Sequence, residues 1–125
     1  MKSNKEILDE FGKEVIKNVF DDNFKYLKEI LTGNTKWGEG KEFTNVFSKI
    51  DENDKLIIKK FFLEYLKTNI FSFLSIFEEK EQFKIYYENE NQKVNLVEIS
   101  EMLKAEPIIE NGWIERFSKE LKKEK

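Results

Sequence analysis

Carboxylates are the best-supplied chemical groups in this chain of 125 residues, which carries 25 Asp and Glu. Close pairs recur at Asp21/Asp22, Glu78/Glu79 and Glu98/Glu101. A glycosidase-type acid and base needs two carboxyls flanking one bond, one of them with its pKa raised by a dry setting. Spacing along the chain selects no such pair, and a solvated acidic face accounts for all of them. Lysine becomes a Schiff-base nucleophile only when kept dry. Lys59 and Lys60 come nearest to an apolar setting, yet they read as side chains that lay their stems along a helix and hold the ammonium in water.

Two further segments approach known ion-binding patterns and miss them. Gly33 and Gly38 have the spacing of a phosphate loop, but Glu39 and Gly40 stand where Lys and Ser or Thr are needed, and a helix rather than a strand precedes them. Asp51-Glu52-Asn53-Asp54-Lys55 opens like a calcium loop, then places Lys55 at an oxygen-ligand position with no glycine after it. The chain has no histidine and no cysteine, and Arg116 is its sole arginine. The commonest acid/base group, the thiolate nucleophile and the soft metal ligands are therefore all missing. We assign no catalytic, cofactor-binding or metal-binding residue, and the expectation is a protein that is not an enzyme.

The elements that must position these side chains are mostly helical. Ser3 and Glu6 have capping-box spacing and open a long first helix, whose apolar stripe runs from Leu8 through Phe11, Val15, Phe20, Phe24 and Leu27 to Leu31 and stops at Gly33. Asp21-Asp22-Asn23 can bend it, but the stripe continues across them, which favours one helix. Phe43, Val46, Phe47 and Ile50 mark a short helix. The strongest apolar run spans Leu56 to Phe77, and its charges at Lys59, Lys60, Glu64 and Lys67 argue against a membrane span. Its polar residues Lys60, Glu64, Thr68, Ser72, Ser75 and Glu79 recur at helical spacing as one narrow stripe. That pattern predicts a central helix from Asp54 to Glu79, covered on most of its circumference by the others.

After Glu79 the period shortens. Phe83, Ile85 and Tyr87 alternate with Lys84, Tyr86 and Glu88, which predicts a small β-hairpin from Phe83 to Asn95 around the turn at residues 89–92. Asn95 and Glu98 have capping spacing, and Leu96, Ile99, Met102 and Leu103 follow Asn95 in a predicted helix that Pro107 ends. Asn111-Gly112 is a turn; Trp113, Ile114, Phe117 and Leu121 form a last amphipathic helix with a tail, residues 119–125, expected to fray. The fold class is thus mainly α (α+β): about five helices around a central one, with one hairpin, in a single domain.

A net charge of −3 argues against nucleic acid as a direct partner. The amino terminus has no signal-peptide pattern, so the expected location is cytoplasmic. Most of the 12 phenylalanines are needed for the core. The aromatics off the core stripes are Trp37 and Tyr86, residue types enriched at interface hot spots. Around the hairpin, Glu78, Glu79, Glu81, Glu88 and Glu90 gather acidic charge. Trp113 is expected to pack inward, with Arg116 stacked on it or paired with Glu110 or Glu120, or else serving with it as an anchor for a partner.

Asn95-Leu96-Val97-Glu98-Ile99-Ser100 and Asn111-Gly112-Trp113-Ile114-Glu115-Arg116-Phe117-Ser118-Lys119 resemble the C-terminal signature of a group of small uncharacterised bacterial proteins. The match covers roughly the last quarter of the chain, and the setting is similar to that of bacterial conflict systems. The resemblance implies a toxin immunity factor or a phage-derived, anti-CRISPR-like inhibitor of a defence nuclease. Together these observations point to a binding protein, monomer or homodimer, that neutralises another protein, through its acidic patch meeting a basic surface or through the hairpin edge. A small-ligand protein or carboxylate enzyme with a helical pocket, and an oligomerisation module, are the alternatives.

Overall fold

The computed structural model describes residues 1–34 and 38–124, apart from the side chain of Glu39. The fold is mainly helical with one two-stranded hairpin. α1 (Asn4–Val15) starts with the predicted capping box: Ser3 Oγ accepts the Glu6 amide at 3.1 Å, and Glu6 accepts the Ser3 amide at 3.2 Å. α1 runs without a break through a π-helical turn (Ile16–Asp21) into α2 (Asp22–Thr32). The disturbance therefore ends on the first residue of the Asp-Asp-Asn triplet and lies mostly before it. The widened turn brings both Phe20 and its neighbour Asp21 to the buried side, and the Asn18 and Asn23 side-chain amides donate to the Glu14 and Val19 carbonyls at its two ends. Gly33, at φ 80°, ends the helix in the left-handed conformation, with the Asn34 amide closing on Glu29 O at 2.9 Å.

α3 (Lys41–Phe47) packs on α2. α4 (Glu52–Glu79) begins two residues before the expected start, because Asp51 is its N-cap and accepts the Asp54 amide at 2.9 Å. α4 is not covered as its composition suggested. Only Leu66, Ile70, Leu74 and Ser75 are buried, whereas Ile57, Phe61, Tyr65, Phe73 and Ile76 are exposed, Phe61 at 66% against 1% for Leu74. The remaining elements are too short or lie on one side, so they cover one flank of a 28-residue rod. The expected polar stripe also breaks at Ser75, which is buried and donates to Phe71 O at 2.8 Å.

β1 (Tyr86–Glu88) and β2 (Lys93–Asn95) pair antiparallel with Tyr86 opposite Asn95 and Tyr87 opposite Val94. The returning strand has the expected bounds, but the first is shorter than predicted, and Phe83 lies outside it, 59% exposed rather than inward. The predicted helix after Asn95 does not form. Asn95 Oδ1 accepts the Val97 amide at 3.0 Å in a local turn, and the chain continues through turns to a 3-10 turn (Leu103–Ala105) that packs on α4 before the buried Pro107. α5 (Trp113–Phe117) and α6 (Lys119–Lys122) follow. The core joins Ile7, Ile16, Phe20, Phe24 and Leu31 to Leu66, Ile70 and Leu74 of α4 and to Leu96, Leu103, Trp113 and Ile114.

Trp113 is fully buried as expected. Its ring lies edge-on to Phe11 at 5.6 Å and flat against Gly12, where a Cβ would come within 2.6 Å of the indole. Residues 119–124 are held by fold contacts rather than frayed. Buried Asp21 accepts Ser118 Oγ at 2.6 Å and the Lys119 amide at 2.8 Å, while Ser118 Oγ caps α6 through the Leu121 amide at 3.1 Å. Lys28 then reaches Glu120 at 3.1 Å and Glu124 at 3.2 Å, Lys59 reaches Glu124 at 3.2 Å, and Lys123 reaches Glu120 at 2.8 Å.

Candidate interaction surface

The hairpin presents its two faces differently. Tyr87 turns half inward under the Lys2 ammonium, 5.4 Å from the ring centroid, while Tyr86 and Glu88 face solvent. The hairpin turn is tied to the amino terminus by an amide clasp: Lys2 N donates to Gln92 Oε1 at 3.1 Å and Gln92 Nε2 donates to Lys2 O at 2.9 Å. Lys2 also pairs with Glu10, whose hydrogen bond is the chief cause that raises the lysine pKa above its ordinary value. Tyr86 is therefore held on a braced edge, with the Lys93 ammonium 4.7 Å from its ring centroid.

Two hollows meet beside that edge. A groove of about 500 Å³ runs between the end of α1 and the second half of α4, walled by Phe11, Val15, Val19, Ile70, Phe73, Leu74 and Ile85. A smaller one of about 290 Å³ shares Phe11, Glu14 and Ile85 with it and ends at Tyr86, Tyr87 and Leu96. The charged side chains lining the pair are Glu10 and Glu14. An apolar floor rimmed by carboxylates suits an apolar side chain flanked by cations. The groove was not legible as such, because Phe11, Val15 and Phe73 have the spacing of core residues.

The residues singled out from the sequence divide into three groups. Tyr86, Glu81, Glu88 and Glu90 are exposed around the hairpin, with Glu88 4.0 Å from Lys93; among the described residues Glu81 and Glu90 form no ion pair. Glu78, Glu79 and Arg116 serve internal contacts. Glu78 accepts the Lys104 amide and so fastens α4 to the 3-10 turn, and Glu79 lies 3.7 Å from the Lys104 ammonium. Arg116 neither stacks on Trp113 nor pairs with Glu110 or Glu120. Its guanidinium bonds Asp9 at 3.0 Å and Asn111 O at 2.7 Å and lies over Phe117 at 4.6 Å, because Trp113 points into the core away from the surface helix face. Trp37 lies outside the described residues.

Burial and pairing perturb several carboxyls. The hydrogen bond from Lys123 is the main cause holding Glu120 below its ordinary range, joined by Lys28 against an opposing effect of burial. Burial pushes Glu124 up, but Lys28 and Lys59 together outweigh it and the net shift is downward. Burial likewise pulls Lys28 down, and its two glutamates more than reverse this. Glu106 is raised, with burial the leading cause. Among the described residues the buried acids are Asp21 and Glu120; both are taken up by their fold contacts, and neither lines the apolar groove. Among the described residues no three Asp or Glu converge as a metal site, and no helix is long and apolar enough to cross a membrane.

No family model, curated protein or solved structure matches the chain.

Proposed function

We propose that the chain is a non-enzymatic binding protein that inhibits or neutralises another protein by covering a basic surface on it, as a toxin immunity factor or a phage-derived inhibitor of a defence nuclease would. The supporting observation is the junction at Tyr86. An open apolar groove, a carboxylate rim of Glu10 and Glu14, and the exposed acids Glu88 and Glu90 all adjoin one braced hairpin edge. The partner fits as a segment with an apolar anchor for the groove and Lys or Arg for the rim. Affinity capture from the cell that makes the chain, and from its competitors, tests this with the wild type beside a Glu88→Lys/Glu90→Lys variant. A basic protein held by the wild type, and released by the variant with a flatter salt dependence, supports the reading. Equal capture by both removes the acidic hairpin as the docking site.

A further inference from the structure

α4 carries a second apolar surface, separate from the groove. At about 100° per residue, Ile57, Phe61, Tyr65, Thr68, Ser72 and Ile76 fall on one strip of the helix. All six are exposed, none lines the groove, and the Phe61 and Tyr65 rings stack with centroids 6.0 Å apart. The strip spans about 33 Å up to Glu79. Its two halves differ in size: large side chains at 57–65 and small hydroxyls at 68 and 72. Its flanking charges differ as well. Lys60 stands near one end, with no ion pair among the described residues, and the exposed Glu79 stands at the other.

We infer that this strip binds a second copy of the chain, with the two α4 helices packed antiparallel about a two-fold axis near residues 68–69. In that register Phe61 of one copy lies opposite Ile76 of the other, and Tyr65 lies opposite Ser72, so both rings meet a smaller side chain. Lys60 comes within one helical turn of the second copy's Glu79, and symmetry makes this contact twice. Exposed Asp54 comes within a turn of Lys80 in the same way. A parallel pairing sets Phe61 against Phe61, Lys60 against Lys60 and Glu79 against Glu79, which like-charge repulsion and crowding disfavour. Antiparallel packing also opposes the helix dipoles favourably.

Sedimentation equilibrium of the full chain from micromolar to millimolar concentration tests the inference, with circular dichroism verifying that each variant folds. The wild type should pass from 15.1 kDa toward twice that mass. Phe61→Asp should hold it at the lower mass throughout. Lys60→Glu should weaken association about tenfold or more, and adding Glu79→Lys should restore it, because the swapped pair still attracts. A wild type that stays at 15.1 kDa into the millimolar range overturns the inference, as does a Phe61→Asp variant that still dimerises. Failure of the double swap to recover association overturns the antiparallel register. Association mass is read without any partner protein, so these outcomes are independent of the groove and of its ligand.

Discussion

α4 and the last thirty or so residues invert the usual link between regularity and burial. α4 is a 28-residue helix rich in Ile, Leu and Phe, yet one whole side of it meets solvent. Residues 96–124 hold turns and helices of five and four residues, yet they bury Leu96, Leu103, Trp113, Ile114 and Ser118. Apolar periodicity tells a helix which faces would gain from burial. What fills them depends on how many neighbours the topology supplies. The short C-terminal elements are placed by single strong contacts: the indole on Gly12, the Asp21 carboxylate on Ser118 and Lys119, and Arg116 on Asp9.

The sharpest way to break the contrast is at Trp113. Trp113→Ala should cost about 3–5 kcal/mol in urea unfolding, since a large cavity opens in the core beside Gly12, which has no side chain to fill it. A loss below about 1 kcal/mol would mean the C-terminal block is only lightly attached.

Acidification should act more locally. Glu120 and Glu124 have folded pKa values below the ordinary 4.5, so their pairing adds stability that is fully present above pH 4.5 and lost as pH falls through the folded values. Lys28 lies above its ordinary 10.5, so its share is present below pH 10.5 and lost only as pH rises through the folded value. Hydrogen-exchange protection at the Leu121 and Glu124 amides should therefore drop on the acid side before that of the Trp113 amide, which rests on Glu106 O. Simultaneous loss at all three would tie α6 to global unfolding rather than to its lysine contacts.

The smallest effect belongs to the bare side of α4. Phe61→Ser, measured where the chain is monomeric, should change unfolding free energy by no more than about 0.5 kcal/mol, because the ring is already mostly in water. A cost like that of a core phenylalanine would show that Phe61 is covered.

The sequence carried the local rules well. Ser3 with Glu6, Gly33 as a C-terminal cap, the hairpin alternation at Ile85 to Glu88 and the inward Trp113 all follow from contacts within a few residues or from one amphipathic period. Long-range pairings escaped it. Nothing near Asp21 in the chain announces Ser118, 97 residues away, and nothing near Arg116 announces Asp9, 107 residues away. Asn95 with Glu98 had the spacing of a helix start, but the Asn side chain was satisfied by the Val97 amide in a turn instead. Of the proposed surface, Tyr86 and the hairpin acids were legible from alternation. The groove was not, because Phe73 on a bare flank and Leu74 in the core are adjacent apolar residues that the sequence does not tell apart. An excess of apolar positions on α4 over the helices available to cover them was the one clue.

The π-helical turn at Ile16–Asp21 turns the first rod of the molecule into two differently aimed segments. Holding roughly one residue more than an α turn, it offsets the phase of everything before it by about 100° relative to everything after. α1 thereby faces α5 and shares its groove wall with the hairpin, while α2 faces α3 and α4. Deleting a single residue inside that turn would leave the composition almost untouched but rotate Gly12 away from the indole, so the insertion acts as a phase setting on which the carboxy-terminal attachment depends.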